Sequence, residues 1–325
     1  MRLTNTRAML LAALAMPLLT ALAVAQTWPL RPVKLVVGFP PGGGTNIVGR
    51  LLAEHLSKSL GQPVVVENRP GAGGRLGAHS VVRAEPDGYT LLFGTDAELT
   101  IAPVMTKAMP YDPLKDLQPV SMAGRGPYVL VTHADYPQGT LAELISHAKA
   151  NPGQVNFGSF GKGSQNHMID ERFKVAAGIS TVHVPYKGSG PMIVDLVGGQ
   201  VQYSFAAPSA TLGLVRAGKL KALAVAATQR LARADTIPTM TEAGLPGFTG
   251  GSWYGVLAPA NTPRAVVARL HAEVVAAMNT PEMRGALDEL SILPVTSTAA
   301  ELAELIRSEI GALRQLAAKI GLEAE

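Results

Sequence analysis

From Val33 onward the chain alternates short apolar runs rich in β-branched residues with longer stretches of helical periodicity. Val33 to Gly38 reads as a strand. Thr45 to Leu60 reads as a helix, with Ile47, Leu51, Leu52 and Leu56 on one face and Gly61 as its C-cap. The same rhythm predicts a strand over 63–67, a helix over 74–84, a turn at Pro86-Asp87-Gly88 and a strand over 89–93. Further on it predicts strands over 128–131, 155–157, 182–184, 201–205 and 222–226, interleaved with helices over 141–150, 164–177, 191–197 and 211–217. After Trp253 to Leu257 the pattern turns helical over 263–278, 281–290 and 299–320.

Such alternation is the signature of βαβ units, so the expected class is α/β with mainly parallel sheets. A chain that starts one sheet, builds a second and returns with helices predicts two lobes, 28–126 plus 252–325 and 127–251. Crossovers near 124–127 and 250–254 would join them. A ligand cleft is then expected between the lobes, at the carboxyl ends of the strands.

The N-terminus changes the picture of where this happens. Arg2 and Arg7 flank the start of an apolar stretch over 8–24 that ends in Ala23-Val24-Ala25, the pattern of a secretory signal peptide over 1–25. The expected location is therefore periplasmic. The remaining chain of about 300 residues suits two lobes better than one core.

Zero cysteines exclude a disulfide framework, a thiolate nucleophile and cysteine-based metal sites. Lys plus Arg number 28 against 24 acidic residues, and without Arg2 and Arg7 the balance is 26 against 24. With no polybasic run and 5% aromatics, nucleic acid is not an expected partner.

Candidate chemistry lies in glycine-rich loops between strands and helices. In Gly38-Phe39-Pro40-Pro41-Gly42-Gly43-Gly44-Thr45-Asn46, glycines can turn consecutive N–H groups to one point in front of a helix dipole, an anion cradle; a tight turn is the plainer alternative. A second loop runs from Glu67 to Gly74 and a third from Gly158 to Ser164, ahead of the helix carrying His167. Helix N-termini from two lobes suit opposite ends of a small anion. Ser164 is expected to cap its helix. Tyr186 and Lys187 either contact an anion or serve packing and solvation.

Enzyme motifs fail on inspection. Gly213 to Lys219 matches the start of a P-loop, but Leu220 stands where Ser or Thr belongs and a strand follows. There is no Gly-x-Gly-x-x-Gly, no Gly-x-Ser-x-Gly, no His-Glu-x-x-His and no carboxylate cluster, so no catalytic residue, metal or cofactor is assigned. Ser164, His167 and Asp170 share a helix face by spacing alone, which is weak ground for a triad.

Taken together, the segments Val36 to Asn46, Glu67 to Gly74, Pro86 to Leu92, Tyr111-Asp112-Pro113, His183 to Gly188, Gly198 to Val201 and Ser252 to Gly255 resemble the Bug family, extracytoplasmic solute receptors of tripartite tricarboxylate transporters. The resemblance implies a two-lobed periplasmic binding protein-like fold that captures a small organic carboxylate, as a monomer, for membrane subunits of such a transporter. By matching motif it places ligand roles on Phe39, Pro40, Gly42, Gly43, Thr45, Gly73, Ser159, Ser164, His167 and Pro185. Asn46 stands where relatives commonly carry Asp, and Thr95-Asp96-Ala97-Glu98 replaces a Ser/Thr-rich run. Asn46, Thr95 and Asp96 therefore complete the candidate set. If buried, Asp96 or Glu98 would favour an amine, amide or hydroxyl on the ligand; if solvent-facing, neither would matter. A sensory accessory protein is the alternative reading, and a secreted hydrolase or isomerase a more distant one.

Overall fold

The computed structural model describes residues 28–324, so the leader read at 1–25 lies outside the described residues. Ten strands appear in chain order: β1 (Val33–Val37), β2 (Val64–Asn68), β3 (Thr90–Thr95), β4 (Leu117–Pro127), β5 (Val129–His133), β6 (Asn156–Ser159), β7 (Val182–Pro185), β8 (Tyr203–Ala206), β9 (Leu220–Val225) and β10 (Gly251–Pro259). The helices are α1 (Gly44–Leu60), α2 (Arg75–Val82), α3 (Ala102–Met105), α4 (Leu141–Ala150), α5 (Gln165–Ala177), α6 (Ser189–Val197), α7 (Pro208–Arg216), α8 (Arg264–Met278), α9 (Pro281–Glu289) and α10 (Ala299–Ile320).

The strands form two five-stranded sheets, ordered β2-β1-β3-β10-β4 and β7-β6-β8-β5-β9, one per lobe. The α/β, two-lobed expectation is met, but the sheets are mixed rather than mainly parallel. β10 runs antiparallel between β3 and β4, and β5 runs antiparallel between β8 and β9. Periodicity within a strand does not encode its direction, so that feature was not readable. β4 was missed altogether because Pro119, Gly124, Gly126 and Pro127 break up its apolar run.

Each sheet is covered on both faces, as the two-residue period requires. Val33, Leu35 and Val37 of β1 face α1, α8 and α9 through Leu52, Leu270 and Leu287, whereas Val36 faces α2 and α10 through Val81, Leu302 and Ile306. In the second lobe Leu130 and Phe205 pack toward α4 and α5, while Val129 and Val131 pack toward α6 and α7. A smaller apolar seam, Ile101 with Met168, Leu313 and Leu316, joins the lobes.

The crossovers lie side by side where β4 ends and β10 begins, with Gly251 opposite Pro127 and Ser252 opposite Gly126. A Cβ on Gly251 would fall 2.3 Å from the Gly126 carbonyl oxygen, at a φ of +143°. The two connections approach this closely only because residue 251 is glycine.

Candidate ligand-binding site

The loops after β1, β2 and β3 all leave the carboxyl end of the first sheet, and the loop after β6 leaves that of the second. In the first loop Gly43 is the extended N-cap of α1 and no side chain caps the helix, so the first-turn N–H groups remain open to an acceptor from outside. Phe39 is half-buried, Pro40, Gly42 and Gly43 are exposed, and Thr45 is half-buried.

Asn46 explains its own departure from the expected aspartate. Its Oδ1 accepts from Gly42 N at 3.2 Å and from Arg50 Nε at 3.2 Å, while its Nδ2 donates to Asn68 Oδ1 at 3.0 Å. Asn68 Nδ2 donates in turn to the Phe39 carbonyl at 2.8 Å. An aspartate could not make the donation to Asn68. The buried Asn46 side chain thus shapes the loop, leaving its backbone at the helix end.

The second loop lies against the first. A Cβ on Gly38 would meet Gly74 Cα at 2.7 Å, and one on Gly74, whose φ is +92°, would meet Glu98 Oε2 at 2.8 Å. Ala72 also adopts a positive φ, 49°, a strained setting for a residue with a Cβ. Gly73 differs from Gly74: nothing stands within 4 Å of a Cβ built there, so its backbone faces open space.

Both acids of the 95–98 segment are buried, which removes the solvent-facing alternative. Glu98 accepts from Thr95 N at 2.7 Å and Thr95 Oγ1 at 2.6 Å, so the two residues satisfy each other. Burial pushes the Glu98 carboxyl up to about 7. Asp96 accepts from Gln165 Nε2 and, at 3.1 Å, from Ser252 Oγ. Gln165 Oε1 accepts from Tyr128 OH at 2.8 Å and lies 3.0 Å from Ser252 Oγ. Burial, then the nearby Glu309 charge, raises the Asp96 carboxyl well above the usual range. Asp96 therefore ties the first lobe to the start of α5 in the second. Its partners come from within the chain, so its burial gives no independent sign of an amine on the ligand.

The third loop is held by side chains. Ser159, fully buried, has its Oγ 2.5 Å from His183 Nε2 and accepts from Gly161 N at 3.1 Å. Asn166 Oδ1 accepts from Phe160 N at 2.9 Å and lies 2.8 Å from Ser164 Oγ. Ser164 stands at the N-cap of α5 but does not cap it; its hydroxyl donates to the Gly161 carbonyl at 2.6 Å. The expected cap is thus replaced by a loop-closing bond, and α5, like α1, starts without a side-chain cap.

His167 Nδ1 accepts from Gly163 N at 3.0 Å, its Nε2 lies 3.4 Å from Glu171, and its ring stacks on His183 with centroids 3.9 Å apart. Asp170 instead accepts from Tyr203 OH at 2.6 Å. Ser164, His167 and Asp170 each have other partners and form no relay. Pro185 ends β7 opposite Ser159 and is exposed; Tyr186 donates to Asp195 at 2.8 Å, and Lys187 is exposed. Neither Asn166 nor His183, which carry the third loop, is assigned a site role by the sequence reading. Asn166 bears no motif signal, and His183 is read as a strand residue opening a family-matching segment.

Comparison with known proteins decides the family. The profile described as "Tripartite tricarboxylate transporter family receptor" matches residues 48–322. The chain belongs to that family. It is similar to "Protein BugT" of Bordetella pertussis, 39% identical over 301 residues, covering 91% of this chain and 92% of the relative. An R. palustris protein solved with adipate superposes with a TM-score of 0.78 at 34% identity, covering 92% of this chain and all of that one (100%). MatC from Rhodopseudomonas palustris, solved with bound malate, gives 0.73 at 34% identity over 89% of this chain and 99% of that one. The Bug resemblance is upheld, and the family is one of solute-binding receptors rather than enzymes.

Proposed function

We propose that this receptor captures a small organic carboxylate in the periplasm, between lobes 28–126 plus 252–325 and 127–251, and delivers it as a monomer to membrane subunits of a tripartite tricarboxylate-type transporter. The 1–25 leader directs export and is cleaved to give the mature chain. The observation that carries the reading is that α1 and α5, one in each lobe, both begin at glycine-rich loops with no side-chain cap. Two open helix ends suit an anion through backbone N–H groups and dipole. Adipate and malate in two structural neighbours support a carboxylate as that anion.

Phe39, Pro40, Gly42, Gly43, Thr45, Gly73 and Pro185 are assigned to the ligand surface. Asn46, Thr95, Asp96, Ser159, Ser164 and His167 contribute as side chains that set the loops, with backbone N–H groups offered where they open a helix.

The test is a thermal-shift titration of the mature chain with adipate, malate and uncharged analogues, repeated for Gly43→Asp. Gly43 has φ −76°, so aspartate fits there, caps α1 and puts its own carboxylate where the ligand's is proposed. The variant should be at least as stable as wild type yet lose the ligand shift, which is about 2.7 kcal/mol at a hundredfold Kd. If no acid shifts the wild type, or the variant responds equally, the reading fails.

A further inference from the structure

A cavity of about 620 Å³ lies between α5 and α10, and of the candidate ligand residues only Asp96 lines it. Its α5 wall is Gln165, Met168, Ile169, Arg172, Val175 and Ala176. At about 100° per residue the centre of that face lies roughly 140° from His167 and roughly 100° from Glu171, which belong to the third loop's support. The cavity's size suits a small organic molecule.

Its chemistry is two-sided. Met168, Ile169, Phe248, Leu313 and Leu316 supply apolar wall. Arg125, Arg172 and Lys319 supply three cations, none in an ion pair with a carboxylate among the described residues. Arg172 donates to the Thr249 carbonyl at 3.1 Å and lies 5.5 Å over the Phe248 ring. The two carboxylates present accept from neutral groups, Asp96 from Gln165 and Ser252 and Glu309 from Trp253 Nε1 at 2.9 Å, and the Glu309 charge reaches Arg172. Three cations against two acids leave the cavity net positive, beside an apolar surface.

We propose that this cavity is a second binding site, for an amphipathic organic anion whose acid group meets Arg172 and its neighbours while its hydrocarbon body lies along Met168, Phe248 and Leu313. The site shares Asp96 with the candidate ligand set but none of the residues of the three glycine-rich loops. Ala312 and Arg172 both stand exposed at its opening, so substitutions there leave the cores intact.

Calorimetric titration of the full mature chain with octanoate, and with octanamide as its neutral counterpart, tests this. Octanoate should bind wild type, and Gly43→Asp to within about twofold; octanamide binding and octanoate binding to Arg172→Ala should each be weaker by about tenfold, the worth of one charge-assisted contact. Ala312→Trp, which fills the opening, should abolish binding. The proposal is overturned if octanoate gives no binding heat, if octanamide binds equally well, if Ala312→Trp still binds, or if Gly43→Asp alone removes binding. The last result would place octanoate in the glycine-rich cleft, whereas failure of adipate and malate to bind leaves this titration unaffected.

Discussion

The loops of the two lobes leave a helix N-terminus uncapped by different means. In the first lobe, beside the Asn46–Asn68 pair, the loops are set chiefly by backbone approach, with glycines at 38, 74 and 77 letting two loops touch main chain to main chain. In the second, the helix end of α5 is exposed by a web of side chains: Asn166, Ser159 and His167, which are buried, and Ser164 and His183, which are half-buried. A loop fixed by missing side chains breaks when one is added; a loop fixed by polar side chains breaks when one is removed.

The largest effect expected from that contrast is at Gly74, where alanine adds left-handed strain to a clash with Glu98. Gly74→Ala should cost about 4 kcal/mol in a urea melt. Next comes Glu98, the side chain on which the first lobe's loops lean. Its folded pKa is raised from 4.5 to about 7, so the stability linked to its proton is full below 4.5 and falls as pH climbs to about 7, on the order of 3 kcal/mol in all. Glu98→Gln should lack that fall, so the variant gains on wild type across this window when melts are compared pH by pH. Asp170, pushed up to about 7 by burial, contributes with the same sign, and His183, pushed down to about 4 by burial, with the opposite one. Both persist in the variant, whereas Asp96, raised in part by the Glu98 charge, loses that part, so the difference reads Glu98 together with its share of Asp96.

In the second lobe, Asn166→Ala leaves Phe160 N without its partner and strips one from Ser164. It should cost about 2 kcal/mol and loosen carboxylate binding, read by the same melt and a titration. The smallest effect is expected at Gly73, which shares a positive φ with Gly74 but has open space beside it. Gly73→Ala should cost about 1 kcal/mol, and a cost equal to that of Gly74→Ala would dissolve the distinction between packed and open glycines.

The first mechanism is legible in a sequence and the second is not. Glycine clusters between a strand and a helix announce a special backbone, so the cradle residues near Gly43 and Gly73 could be named in advance. Nothing local marks Asn166, because its partners Phe160 and Phe205 reach it only after β6, β8 and α5 have packed. The Ser164 cap was a reasonable local rule overruled by a nearer acceptor, the Gly161 carbonyl. The strands were read well where apolar alternation is dense, as in β1 and β3. β4 escaped because proline and glycine dilute it, and strand direction escaped because only topology sets it.

The position of β10 bears on the order in which the molecule can assemble. It lies between β3 and β4 in the first sheet, yet about 120 residues of the second lobe separate it from β4 in the chain. Until residue 251 and its successors emerge, β3 and β4 have no strand to bridge them, and an apolar edge containing Leu92 and Phe93 stays unpaired. The second lobe, whose five strands are contiguous in sequence, can fold first; the first must wait for the end of the chain. A nascent or truncated chain that stops before Gly251 is therefore an aggregation-prone species, and its solubility depends on whatever shields that edge in the interval.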